Sequence, residues 1–205
     1  MAASPPRAGG GYRRRHLLPM GLLVLVLAVA SILTWIVVFA NSTSTSVTSC
    51  NTPAAGGGSV QSRTALDSTP AASPADTAVR VLNGAGQRGS AQLATVELGE
   101  LGIPEAAPPD NDPLYPAQDL SCVGQIRYGT DGASAARTLS LVVPCAELVE
   151  DNRQGAAVDL ALGSDFRDIT PSQGVTQALK ALGQGSSSGT DPASLSGLRD
   201  VDCSA

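Results

Sequence analysis

Four cysteines and one glycine-rich run are the residues of this chain whose types and spacing bear on chemistry. Cys50, Cys122, Cys145 and Cys203 are even in number and contain no C-x-x-C pair, so disulfide bonding is expected rather than zinc ligation or thiol redox work. Four cysteines allow three pairings. The favoured one joins Cys122 to Cys145, because Cys122 precedes a predicted strand and Cys145 follows the helix packing back along it, leaving Cys50 for Cys203. The glycine run is Gly84, Gly86 and Gly89, a G-x-G-x-x-G after a predicted strand and at the mouth of a helix, with Glu105 about 20 residues on. This is the outline of a dinucleotide-binding fingerprint, but Glu105 sits among prolines and the segment after the helix, Ile103 to Gln118, is too broken for a central strand and allows at most a short edge strand over Ile103 to Ala107. Asn83, Gly84, Gly86 and Gly89 are therefore expected to form a structural strand-to-helix turn, with no cofactor.

Other chemistry is sparse. The single histidine, His16, lies in the first 16 residues, and no G-x-S-x-G occurs, so nucleophilic or general-base catalysis has no obvious machinery. Asp110, Asn111 and Asp112 fail the spacing of a calcium loop and read as a polar turn. No catalytic, cofactor-binding or metal-binding residue is assigned.

The elements that must position these residues begin with Leu17 to Ala40, 24 residues without a charge, enough for the about 20 that a bilayer core requires. Arg7, Arg13, Arg14 and Arg15 precede the run and no charged residue follows until Arg63, which orients the N-terminus to the cytoplasm. The run is long for a secretory signal, whose apolar region is about 7 to 15 residues, and the Ser/Thr stretch before Cys50 spoils a lipidation signal. The reading is thus a cytoplasmic tail (1–16), a single transmembrane helix (17–40) and an extracytoplasmic remainder, where thiols oxidise.

Residues 41–77 are rich in Ser, Thr, Ala, Gly and Pro, and are expected to be a flexible linker spanning roughly 35 Å. Val79 and Val81 then alternate with Arg80 as a strand; Ala91, Ala94, Leu98 and Leu101 recur at helical spacing before Gly102. Ile126 and Tyr128 mark a second strand ending at Gly129, and Ala135 or Ala136, Leu139 and Val142 or Val143 a second helix that Pro144 terminates or kinks. Val158, Leu160 and Leu162 give a third strand. Thr170-Pro171-Ser172-Gln173 reads as N-cap, first-turn proline and capping-box Gln for a helix over 171–183, and 184–205 reads as a tail without a fold of its own. The predicted fold is α/β (α+β), a small sheet of about three to four strands with two packed helices over 78–170. Outside the first 40 residues nine basic face 18 acidic residues, which excludes a phosphate-tracking nucleic-acid binder.

The stretch Val79-Arg-Val-Leu-Asn-Gly84-Ala-Gly-Gln-Arg-Gly89-Ser-Ala91 resembles the V-x-V-x-N-G-x-G-x-x-G-x-A opening of the LytR/CpsA/Psr C-terminal domain family, and the resemblance extends over about residues 77–168. In many relatives this domain trails a catalytic domain that transfers glycopolymers to peptidoglycan; no such domain precedes it in this sequence. Anchor, linker and this domain, with cysteines near both ends of the outer segment, are similar to the actinobacterial envelope integrity proteins of the Cei type. The resemblance implies a role in maintaining the envelope, with the membrane, a cell-wall polymer or a wall-glycopolymer transferase as partners. The rival expectation is an enzyme or enzyme subunit acting on wall glycopolymers, in which acids and arginines such as Asp131 or Arg127 converge in a cleft.

Overall fold

The uncharged run forms helix α1, Leu17–Asn41, whose backbone groups pair along the helix. Thr34 Oγ1 also donates to the carbonyl of Ala30 at 2.8 Å. This computed structural model describes residues 17–41, 49–53, 56–186 and 189–203. Side chains of α1 are described for 21–32 and 34, and among the described residues no helix is long and apolar enough to cross a membrane. Arg7, Arg13, Arg14 and Arg15, the residues expected to orient α1, lie outside the described residues. α1 belongs to one compact unit, and a second unit begins at Ser46.

The second unit is a sheet with one helical face. Its elements are β1 (Ser59–Val60), β2 (Val79–Asn83), α2 (Ser90–Glu100), β3 (Asp110–Asn111), β4 (Gly124–Tyr128), α3 (Ala133–Val142), β5 (Glu147–Glu150), β6 (Val158–Leu162), α4 (Gln173–Gly183) and α5 (Pro192–Gly197). The six strands are ordered β1-β5-β4-β6-β2-β3. β2 lies parallel to β3 and β6, and β4 parallel to β5, while β4 with β6 and β1 with β5 are antiparallel. The class is α/β as expected, but the sheet has six strands rather than three or four. β1 and β3 are two residues long and β5 has one inward apolar residue per face, so none shows the alternation by which a strand is legible; backbone pairing with a neighbour defines them.

Alternation sorts the sheet's two faces. Val79, Val81, Ile126, Tyr128, Leu148, Val158, Leu160 and Leu162 point to one side and pack against Ala91, Ala94 and Leu98 of α2, Ala136 and Leu139 of α3, Val175 and Leu179 of α4, and Leu195 of α5. Behind the sheet, Leu82 and Ala161 meet Tyr115, Leu120 and Cys122 from the loop before β4, with Cys50 at the margin. α2 ends where Gly102 takes φ +79° and the Ile103 amide donates to the Leu98 carbonyl at 3.0 Å, a Schellman closure.

Three sequence expectations are corrected. Residues 49–53 and 56–77 are not a loose linker: β1 pairs with β5, Leu66 and Pro74 are buried, and the Ala72 amide donates to the Ser134 carbonyl at 3.1 Å. The segment lacks its own apolar core but takes partners from the domain, and these offset its ordering entropy. Residues 42–48 lie outside the described residues. Nor is 184–205 a bare tail, because α5 buries Leu195 completely and Cys203 is bonded to Cys145. The cap of α4 is Ser172, whose side chain accepts from the Val175 amide at 3.3 Å; Thr170 instead donates to Asp168.

Candidate functional site

β2 delivers Asn83 to the glycine turn, where its Oδ1 accepts from the Ala85 amide at 3.3 Å and its Nδ2 donates to the Gln87 carbonyl at 3.0 Å. Gly84 has no room for a side chain: a Cβ would stand 2.8 Å from Leu120 Cδ2 and 3.0 Å from the Leu162 carbonyl oxygen. Its amide donates to that carbonyl at 2.9 Å, and its own carbonyl accepts from Leu120 at 3.0 Å. Gly86 and Gly89 have φ +71° and +79°, conformations that a Cβ penalises. The turn is thereby welded to β6 and to the loop before β4.

Beside it opens a groove of about 410 Å³ whose wall includes Asn83, Arg88, Gln92, Asp110, Asn111 and Gln118. Gln118 Nε2 donates to Asn111 Oδ1 at 3.1 Å, and Asp110 stands 3.8 Å from Arg80. The proline-broken segment after α2 forms this wall at the sheet's edge: Glu105 bridges Val79 within the expected edge stretch, and further on Leu82 registers with Asp110 and Asn83 with Asn111 in parallel. The groove therefore lies at the carboxyl ends of two parallel strands, the position where open α/β sheets present ligands. Its named side chains are hydrogen-bonding groups and charges of both signs, suited to a hydroxylated or amide-bearing ligand.

Behind the sheet, buried and half-buried acids and arginines pair with one another. Arg127 is buried and donates from Nη1 and Nη2 to the two oxygens of buried Asp112 at 2.9 and 2.6 Å, with Nε and Nη2 also reaching Gln125 Oε1. Gln125 in turn donates to Glu147 at 2.9 Å, and the Arg127 guanidinium lies 5.7 Å from the Tyr115 ring centroid. Asp131 is exposed in a one-turn helix, Thr130–Gly132, away from this network; the two residues do not converge in a cleft. Asp112 also accepts from the Leu114 amide at 3.0 Å, and Asp110 and Asn111, expected as part of a polar turn, lie in β3. Among the described residues, no cluster of His, Cys, Asp or Glu is arranged to hold a metal ion. Next along the same face, Arg153 joins Asp151 and Asp159 at 2.7 and 2.9 Å. Burial pushes the Asp151 carboxyl up, but the hydrogen bonds from Arg153 outweigh it and hold the group below its ordinary value. Burial raises the phenols of Tyr115 and Tyr128.

All four cysteines are bonded, but the favoured pairing is overturned: the bridges are Cys50–Cys122 and Cys145–Cys203. Cys122 and Cys145 do precede neighbouring parallel strands, yet sharing an end is not sharing a side. Cys122 packs behind the sheet with Leu120 and Tyr115, whereas Cys145 closes the α3 connection and meets the segment after α5.

Residues 76–166 match the family described as LytR cell envelope-related transcriptional attenuator. Over 205 aligned residues the chain is 35% identical to the cell envelope integrity protein Cei of Mycobacterium tuberculosis (strain H37Rv), covering 95% of this chain and 94% of that protein. The chain belongs to the family of Cei-type cell envelope integrity proteins. A solved relative is the soluble domain of a conserved hypothetical secreted protein from Mycobacterium marinum, 36% identical, with a TM-score of 0.66, covering 71% of this chain and 98% of that one. Like its Cei-type relatives, the chain is envelope-associated and carries a LytR-type C-terminal domain.

Proposed function

We propose that this chain is a membrane-anchored, non-enzymatic module of the cell envelope that supports envelope integrity by binding a cell-wall polymer or an envelope protein through the groove beside the glycine turn. The observation that carries the reading is the contrast between the two polar regions: Arg127 and Asp112 are closed into a saturated buried pair, while Arg88, Asp110 and Gln118 are exposed and line open space. A groove with several hydrogen-bonding side chains and no buried unpaired acid suits recognition better than acid-base chemistry. Anchoring is supported by α1, whose Leu22, Val24, Leu27 and Ile32 are all more than half exposed, a disposition that suits lipid rather than water. The domain beyond it faces the wall in this reading, and a wall-glycopolymer transferase is one candidate protein partner.

The test is complementation of a deletion strain under detergent and wall-active antibiotic stress. Exchanging Leu17–Ala40 for an unrelated transmembrane helix of the same orientation should restore survival. Arg88→Ala, Asp110→Asn and Gln118→Ala should each weaken it partially, and the triple variant should approach the deletion while remaining folded and abundant. If one polar side chain proves as indispensable as the whole domain in a folded, abundant protein, the module reading fails and an enzyme acting on wall glycopolymers replaces it.

A further inference from the structure

A second cluster lies far in sequence from the glycine turn, and it holds buried guanidinium donors without acceptors. Arg137, in the middle of α3, is 0% exposed, and Arg199, after α5, is 4% exposed. Their guanidiniums converge on one oxygen: Arg137 Nη1 and Arg199 Nη1 lie 2.8 and 3.4 Å from Asp67 Oδ1. Arg63 joins them through reciprocal bonds, its Nη2 donating to the Arg199 carbonyl and Arg199 Nη1 to the Arg63 carbonyl, both at 2.6 Å. Arg137 and Arg199 thus both pair with Asp67.

A clasp between residues 63–67 and 192–201 explains the bonds that are made. It does not explain the donors that are left, because Arg137 Nε and both Nε and Nη2 of Arg199 are buried without an acceptor. Desolvated guanidinium donors need acceptors, and a buried cation needs counter-charge. Burial, and after it the neighbouring Arg137, lowers Arg199 to about 10, in keeping with that shortage. Tetrahedral oxyanions match forked guanidinium donors. We propose that Arg63, Arg137 and Arg199 form a binding site for a small oxyanion of the phosphate or sulfate class, entered past the half-buried Arg63, with Asp67 as the group that the anion works against.

The test uses the full-length protein in non-ionic detergent, with melting followed by circular dichroism in inorganic phosphate or sulfate against chloride at matched ionic strength. Phosphate should raise the melting temperature saturably and chloride should not. Arg63→Gln, which leaves the two buried arginines in place, should weaken the phosphate response about tenfold in apparent affinity. Asp67→Asn should lower the melting temperature without ligand yet keep or enlarge the phosphate increment, a combination that a purely structural clasp does not produce. Vesicles of phosphatidylglycerol form the parallel arm, since a lipid phosphate presents the same chemistry. Equal effects of phosphate and chloride, an undiminished response in Arg63→Gln, loss of the response in Asp67→Asn, or an effect of vesicles without one of inorganic phosphate would each overturn the proposal.

Discussion

Arg127 and Asp112 show how a polar pair becomes part of a core. Both are closed from solvent and joined by two hydrogen bonds, so removing one partner strands the other. Asp112→Asn should cost about 3 to 5 kcal/mol, the usual penalty for leaving a buried charge unmatched, whereas replacing both with apolar residues should cost far less; urea unfolding of the two variants checks this. Gly84→Val sets a new Cβ within 3.0 Å of the Leu162 carbonyl and of Leu120, and should give protein that fails to accumulate or melts early, as an immunoblot and a melting curve would reveal. Asp151 supplies a pH dependence. Its folded value lies below its ordinary one, so the stability that it contributes is complete above the unfolded carboxylate range and is lost as pH falls through the folded value. Asp151→Asn should flatten the acid limb of stability against pH, from about pH 5 downward.

Elements inherit their ends from such local bonds. In α4 the cap is one hydroxyl, and Ser172→Ala should lower stability by about 1 kcal/mol, with amide exchange rising first in the opening turn of that helix. α3 is less ordinary. At helical spacing Arg137 falls with Ser134, Thr138 and Ser140, away from the stripe of Ala136, Leu139 and Val142, so nothing local marks it as buried, yet it is 0% exposed. Nor could its partners be read, because Asp67 and Ser196 stand 70 and 59 residues away. β1, β3 and β5 are the converse case: backbone pairing makes them strands, and side-chain alternation barely marks them.

At the scale of the molecule, the two bridges span 72 and 58 residues and fasten the segments before β2 and after α4 to the sheet. Each is worth about 4 kcal/mol in the chain-entropy model. Peptide mapping of the unreduced protein should recover Cys50 linked to Cys122 and Cys145 linked to Cys203, with no alkylation before reduction. Reduction should expose residues 190–203 to protease ahead of β2, β4 and β6.

What depends on neighbours a few residues apart is legible in the chain alone: the uncharged helical run, the alternation of β2, β4 and β6, the glycine stop of α2, the proline stop of α3, and an oxidising use for the cysteines. Those signals are carried by spacing, and spacing is local. Long-range contacts settled which cysteine meets which, that a Ser/Thr/Gly-rich stretch is ordered against β5, and that Arg127 and Arg137 are enclosed. Each of those outcomes depends on which surfaces the sheet brings together, and contacts between distant segments leave almost no mark on the segments themselves.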